Sequence, residues 1–381
     1  MSLQRPLFIE TFLDAQLSGS APVYNPIFIA TGLYGWGVNT SGEIGQGNVT
    51  SPQSSPVQIP GTWTSVSGGS SAAGVKSDGT LWTWGANNVG ALGVGDTTNR
   101  SSPTQVVGGG TNWTRVVVGT NFYMLGCKSD GTLWGWGHNQ DAGQLGLNDF
   151  VNRSSPNQIP GLWSNRFAAG YQVSAAIDAS GLLWTWGNGG TGALGGGAGS
   201  TGFVSRATQF VSGTWLDVAS GNPGLFNLGG DIIAVRSDHT LWAWGKNFRG
   251  GLGLGDNTDR SVPVQIGSDS NWARVACSAM SAAIKLDGTL WTWGANTAGQ
   301  LGVGDVTDRS SPTQVPGTWL FVSCGVDQML GIKSDGTLWG WGSNSNQQLT
   351  NAVVTSASSP VQIAGTWTAV AAASSFSLGK R

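Results

Sequence analysis

Charge is scarce in this chain. Asp, Glu, Lys and Arg make up 10% of its 381 residues, and the formal net charge is −2. There are 18 basic residues and no basic cluster beyond Lys380-Arg381, so the chain lacks the electrostatic footprint of a nucleic-acid binder. Histidine is rarer still. His138 and His239 lie far apart in loop-like or turn-like sequence, so no Ser/His/Asp arrangement can be argued and no catalytic residue is assigned. Three cysteines, Cys127, Cys277 and Cys324, are too few and too widely spaced for a disulfide framework. No Cys/His pair has metal-ligand spacing, so no metal or cofactor is expected. Cys277 and Cys324 read as small buried residues. No apolar run approaches the ~18 residues of a membrane span. The run Pro6-Leu7-Phe8-Ile9 is broken by Glu10 and Asp14, which makes a poor secretory core. Helical periodicity is missing throughout, which excludes helical solenoids.

Glycine (62 residues) and tryptophan (20 residues) are abundant instead. The segment Leu-Trp-x-Trp-Gly occurs seven times, starting at Leu33 (with Tyr34 for the first Trp), Leu81, Leu133, Leu183, Leu241, Leu290 and Leu338. A period near fifty residues signals a repeat architecture. Each unit carries four strand-like elements. In the first full unit these are Thr62 to Val66, Ala72 to Lys76, Leu81 to Gly85 and Pro103 to Val106. An Asp-Gly turn joins the second and third elements at Asp78-Gly79, Asp130-Gly131, Asp287-Gly288 and Asp335-Gly336, a strong hairpin signal. In another copy His239 replaces the glycine.

Side chains alternate across a strand, so Leu-Trp-x-Trp-Gly puts two tryptophans on one face and Leu plus small residues on the other. Burial on both faces suits propeller blades, each sandwiched between neighbours. Proline in the fourth element lacks a ladder donor, which predicts an outermost strand. The remaining tryptophans, Trp63, Trp113, Trp163, Trp215, Trp272, Trp319 and Trp367, recur once per unit before the first strand. All twenty thus belong to the repeat. At ~200 Å² and ~5 kcal/mol gross each, they read as core rather than as a sugar-binding surface. The expectation is an all-β, seven-bladed β-propeller of four-stranded blades over residues 31–381, with residues 1–30 as an arm or tail outside it. Residues 365–381 supply elements one and two and residues 33–59 elements three and four, which predicts a composite closing blade. Ile27 to Ala30 compete with the C-terminal strand as partner of the Leu33 strand.

The stretch Trp293 to Asp305, Trp-Gly-x-Asn-xx-Gly-x-Leu-Gly-x-Gly-Asp, followed by Arg309-Ser310-Ser311-Pro312, resembles the repeats of the regulator of chromosome condensation family. The resemblance implies a seven-bladed propeller. It also implies GTPase regulation and chromatin binding for the founding eukaryotic member, but residues 1–30 contain one basic residue, Arg5, where that member has a basic arm. The near-uniform units, rich in Ser, Thr, Asn, Gln and Gly and poor in Lys, look more like phage virion or bacterial surface proteins, with the cytoplasm as the alternative location.

Function is expected where the units differ, in the loop joining elements one and two. That loop yields the binding candidates Asn121, Phe122, Tyr123, Tyr171, Gln172, Phe226, Met280, Asp327 and Gln328. Phe150 and Phe248 are weaker candidates in the Gly-rich loop. Expected partners are a protein or a cell-surface glycan, with virion neighbours engaged through residues 1–30, and neither nucleic acid nor a membrane span. A polysaccharide-acting propeller enzyme is the alternative, and GTPase regulation a third reading. Asp96, Asp256 and Asp305 are each followed four residues later by Arg, which predicts turn capping and an Arg bridging adjacent blades, with Ca²⁺ as the competing reading. Asn148 stands where the unit from Leu133 should carry that Asp. The recurrent Gln58, Gln105, Gln158, Gln209, Gln265, Gln314 and Gln362 predict a hydrogen bond between blades.

Overall fold

The computed structural model describes residues 32–108, 110–221, 230–350 and 355–381. Residues 1–30 and Phe226 therefore lie outside the described residues. The chain forms seven four-stranded antiparallel sheets arranged as a ring. The first blade is Trp63–Gly68, Ser71–Lys76, Leu81–Gly85 and Arg100–Gln105, in that spatial order. Five further blades repeat this order through Thr366. The strands that open the blades, such as Trp63–Gly68 and Trp113–Val118, touch one another around the ring and so line its axis. The proline-bearing strand lies at the outer edge, where a missing N–H costs nothing. Among the described residues the helical content is two short 3₁₀ segments, Gly197–Ser200 and Phe248–Gly250. No helix is long and apolar enough to cross a membrane.

The seventh blade is composite. Ala369–Ala372 and Phe376–Lys380 form its inner half, and Leu33–Gly37 and Gln53–Ile59 its outer half. Leu33 pairs with both Lys380 and Ile59, so the C-terminal strand is a partner of the Leu33 strand, and Ile27 to Ala30 lie outside the described residues.

The core is divided into seven slabs, one at each blade interface. The slab between the fifth and sixth blades shows the pattern. Leu290, Ile284 and Leu301 of one blade meet Trp319, Trp341 and Met329 of the next. The second Trp of every Leu-Trp-x-Trp-Gly copy is fully buried. Five of them also donate Nε1 to a backbone carbonyl of the preceding blade. Trp36 reaches Gln348, Trp84 Glu43, Trp186 Gln144, Trp244 Ala193 and Trp293 Gly251, at 2.7–2.9 Å. The second strand makes room for the indoles with a small residue. A Cβ at Gly331 would lie 2.6 Å from the Trp319 ring.

The first Trp of each pair is half-buried on the outer wall and capped by a cation. Lys76 sits 3.6 Å above Trp82 and Lys333 3.8 Å above Trp339. In the third blade Asp178 replaces the cation and accepts Trp184 Nε1 at 2.8 Å. The Asp-Gly hairpin is tied to the same indole: Asp335 accepts from Thr337, whose hydroxyl accepts Trp339 Nε1 at 2.8 Å. Gly79 adopts φ +77°, and His239 adopts the same left-handed conformation at φ +63°.

The structure corrects two expectations. The recurrent glutamines do not bridge blades. Gln105 pairs across the ladder with Trp82, and six of the seven are exposed on the outer wall. The Asp–Arg pairs are internal to one loop, with Arg100 Nη2 2.5 Å from Asp96 and not on a neighbouring blade. The unit from Leu133 also keeps its pair, Asp149–Arg153. Asp141 is an extra residue there, which moves Asn148 to the left-handed position of Gly95 (φ +63° against +89°).

Candidate functional site

Antiparallel strands place two loop families at one end of the ring. The loop joining the inner and second strands adjoins the Gly-rich loop joining the third and outer strands, since Ser71 pairs with Gly85 and Gly85 with Arg100. The Asp-Gly hairpins occupy the opposite end. We call the two ends the loop face and the hairpin face.

Six of the seven Gly-rich loops are organised by a buried asparagine, and the third blade has Gly189 at that position. Asn296 Nδ2 donates to the carbonyls of Asp305 and Thr307, and its Oδ1 accepts from Leu301 N at 2.9 Å. Asn87 and Asn247 repeat the arrangement. Asp305 accepts from Thr307 N and from Arg309. Its donors are thus supplied by the loop itself, which explains the Asp-x₃-Arg spacing without a cation. Among the described residues, no group of three His, Cys, Asp or Glu is arranged to hold a metal. His138 lies on the loop face, 3.5 Å from Asp141, whereas His239 bonds the Trp272 carbonyl at the hairpin face. The two histidines cannot share a site.

The structure divides the predicted loop candidates. Tyr123, Met280 and Gln328 are fully buried. They open the second strands and wedge neighbouring blades apart, where the sequence suggested loop. Tyr123 donates its hydroxyl to the Val173 carbonyl at 3.0 Å, and Gln328 Nε2 reaches the Ala373 carbonyl at 2.7 Å. Gln172 is buried between Asp141 and Asn188, and Asn121 is buried as well. Phe122 and Tyr171 are half-buried, and Asp327 is exposed. Phe122 adopts φ +54°, a left-handed conformation unusual for an aromatic, and its N–H is held by Ser70 Oγ of the preceding blade. Phe150 is 44% exposed on the rim of the same face.

The sequence did not single out a cleft on this face. It spans the Gly-rich loops of the fourth and fifth blades and encloses about 480 Å³. Phe248 and Arg249 form one wall and Asp259 and Asp308 another. Arg249 pairs with Asp308 across the blade boundary at 3.0 Å, and Lys246 with Asp259 at 3.1 Å. The off-pattern Phe248-Arg249, where the next unit has Thr297-Ala298, was the available signal.

Asp231 is the other residue out of place. It opens the second strand of the fourth blade and is 4% exposed. Cys277 Sγ donates to Oδ2 at 3.4 Å, and among the described residues Oδ1 has no hydrogen-bond partner. Burial pushes the Asp231 carboxyl up to about 7, and burial together with Asp231 pushes the Cys277 thiol up. A raised folded-state value means that stability is fully present below the unfolded value, near 3.8, and declines from there as pH rises through about 7. Asp231→Asn is therefore expected to stabilise the protein at mildly alkaline pH. The gain is a few kcal/mol, at about 1.4 kcal/mol for each pH unit between the unfolded and folded values. It should vanish near pH 4. Thermal melts of both proteins across this range check it, and a gain that grows toward acid would contradict the assignment.

Comparison with known proteins agrees with this architecture. The family profile for the regulator of chromosome condensation (RCC1) repeat matches residues 78–125, 130–177, 238–284 and 287–331. A second RCC1 repeat profile matches residues 321–348. The ultraviolet-B receptor UVR8 of Arabidopsis thaliana is 29% identical over 39% of this chain and 33% of its own length. The E3 ubiquitin-protein ligase HERC2 of Homo sapiens is 28% identical over 62% of this chain and 5% of its own. The chain thus spans a third or less of the length of these relatives. Among solved structures, human WBSCR16 superposes with a TM-score of 0.79 at 18% identity, covering 91% of this chain and 99% of that one. Yeast RCC1 (Prp20), solved bound to Kap60, gives 0.77 at 17% identity, covering 96% and 95%. Seven blades, the indole-bearing Leu-Trp-x-Trp-Gly strands and the Asn-centred Gly-rich loops are shared features of one repeat type: the chain belongs to the RCC1 repeat family.

Proposed function

We propose that this propeller is a non-enzymatic binding or assembly module that engages a protein partner through its loop face. The observation that carries this reading is the division of side chains on that face. The scaffold uses Tyr123, Gln172, Met280 and Gln328 internally, while Asp327 and Phe150 are exposed and Phe122 and Tyr171 half-buried on the same face as a charged cleft with an aromatic wall. Aromatic and mixed-charge residues are the usual anchors of protein recognition. Solved relatives are in keeping with this, since yeast RCC1 was solved with Kap60 and studied for binding to Gsp1p and histones. The scarcity of charge and the Ser/Thr/Asn/Gln-rich units support a setting in a phage particle or on a bacterial surface.

The test compares the native chain with a Phe122→Ala, Tyr171→Ala, Asp327→Ala variant and with Leu162→Ala. Leu162 is 64% exposed at the hairpin face. A partner captured from the source organism should be lost by the triple variant, by about tenfold or more in affinity, and retained by Leu162→Ala. Equal retention or equal loss in both would refute engagement through the loop face.

A further inference from the structure

Six of the seven blades carry the same device at the hairpin end of the outer wall. A cation from the end of the second strand stands against two rings. One is the tryptophan that opens or precedes the inner strand, and the other is the first aromatic of the third strand. Lys128 lies 4.8 and 4.3 Å from the ring centres of Trp113 and Trp134, and Lys285 4.8 and 4.5 Å from those of Trp272 and Trp291. Lys76, Arg236, Lys333 and Arg381 do the same in their blades.

The third blade keeps the rings and loses the cation. Trp163 and Trp184 have centres 6.1 Å apart with planes at 78°, close to the 6.3 Å and 75° of Trp272 and Trp291. Asp178 pairs with Trp163 across the ladder where Lys76 pairs with Trp63 and Lys285 with Trp272. The space left by the lysine stem is open. A Cβ at Gly61 would lie 3.1 Å from Lys76 Cε, and one at Gly317 3.1 Å from Lys333 Cε. At the counterpart Gly161 the nearest atoms are those of the Trp163 ring. A cavity of about 120 Å³ lies there, lined by Gly161, Leu162, Trp163, Asp178 and Trp184 among others. Gly161 and Leu162 are exposed, so the cavity opens to solvent.

The carboxylate in this cage is fixed. Asp178 Oδ1 accepts from Ser180 N at 2.8 Å and Leu182 N at 3.0 Å, and Oδ2 from Trp184 Nε1 at 2.8 Å. Two aromatic faces beside a carboxylate attract a cation. With three donors already on Asp178, few lone pairs remain for the N–H groups of a primary ammonium, which would give up strong hydration on entry. A trimethylammonium group has no N–H to satisfy, and its methyls pack against the rings. The cavity is far smaller than the ~300–1,000 Å³ of a drug-sized pocket, which suits a single head group. We infer that the Trp163–Trp184–Asp178 cage binds a trimethylammonium group, carried by a choline-type small molecule or by a trimethylated lysine side chain. The site lies at the hairpin end, away from the loop face, so its failure leaves the reading of that face intact.

The test is isothermal titration of the full chain with choline, and separately with the amide of trimethyllysine, at neutral pH. Saturable single-site binding is expected for at least one probe. Binding of both admits both carriers, and binding of one restricts the site to that carrier. Ethanolamine, the primary amine, and 3,3-dimethylbutanol, the uncharged isostere, should each bind at least about tenfold more weakly than choline or the lysine derivative. The combined variant Asp178→Lys, Ser180→Asp, Leu182→Thr copies the hairpin of the first blade, Lys76 to Thr80, and supplies the cage with an internal cation. It should keep the native melting profile and lose binding. If it fails to fold, Asp178→Asn decides, since it removes the charge at nearly constant shape and should weaken binding severalfold. Absence of saturable binding of either probe up to about 10 mM would overturn the proposal. So would equal affinity for ethanolamine or the uncharged isostere, or native affinity in the folded combined variant or in Asp178→Asn.

Discussion

Deleting residues 369–381 is expected to abolish the folded ring. The loss takes out both inner strands of the seventh blade, so Leu33–Gly37 forfeits the partner that pairs with it from Leu33 to Gly37. Two core slabs open at once. Phe376 and Leu378 leave the slab shared with the first blade, and Val370 and Ala372 leave the one shared with the sixth. Buried apolar side chains contribute about 1.5–3 kcal/mol each, and a domain's total stability is about 5–15 kcal/mol. Exposed strand edges on either side of the gap would then template aggregation. Size-exclusion chromatography and circular dichroism should show aggregated or unfolded protein. Supplying residues 367–381 as a peptide should recover monomer. A truncated chain that stays monomeric with the native melting profile would show that the ring does not depend on this closure.

The second large effect is expected at Trp293. Trp293→Ala should cost about 3–5 kcal/mol, the range for emptying a large aromatic site in a packed core. The indole is fully buried, and its Nε1 lies 2.9 Å from the Gly251 carbonyl of the preceding blade. That carbonyl also accepts from Ser281 Oγ at 2.8 Å, so it keeps one bond in the variant. The loss is therefore mainly packing, and Trp293→Phe should cost distinctly less. Trp291 is two residues away in the same strand but half-buried under Lys285, so Trp291→Ala should cost about 1–2 kcal/mol. Urea titrations of the three variants give the comparison. Equal losses at 291 and 293 would refute the assignment of the second tryptophan as the mortar between blades.

The ring was legible in the sequence because its construction is local and repeated. Leu-Trp-x-Trp-Gly fixes a strand with unlike faces, Asp-Gly fixes the turn before it, and proline fixes the outer edge. The matched family segments run from one hairpin through the Gly-rich loop into the first two strands of the next blade. Each unit therefore straddles a blade boundary, and a composite blade follows from that phase. What stayed hidden depended on single-residue offsets or on closure of the ring. Asp141 shifts a loop by one position, and the shift disguised Asp149 as a missing ligand. Tyr123 and Met280 vary between units because each blade interface packs differently, and variation there resembles the variation of a free loop. The glutamines recur at a fixed position, but periodicity does not say which way they point.

The seam has a mechanical consequence. Gly32 and Arg381 exchange backbone hydrogen bonds at 2.9 and 3.1 Å, so the two ends of the described propeller lie side by side in antiparallel strands. Tension applied between them acts across the ladder and not along it. The bonds of this pair would then open one after another, as in unzipping, at a force far below that needed to shear them together. A ring held together by seven buried slabs should thus give way readily to a pull on its ends.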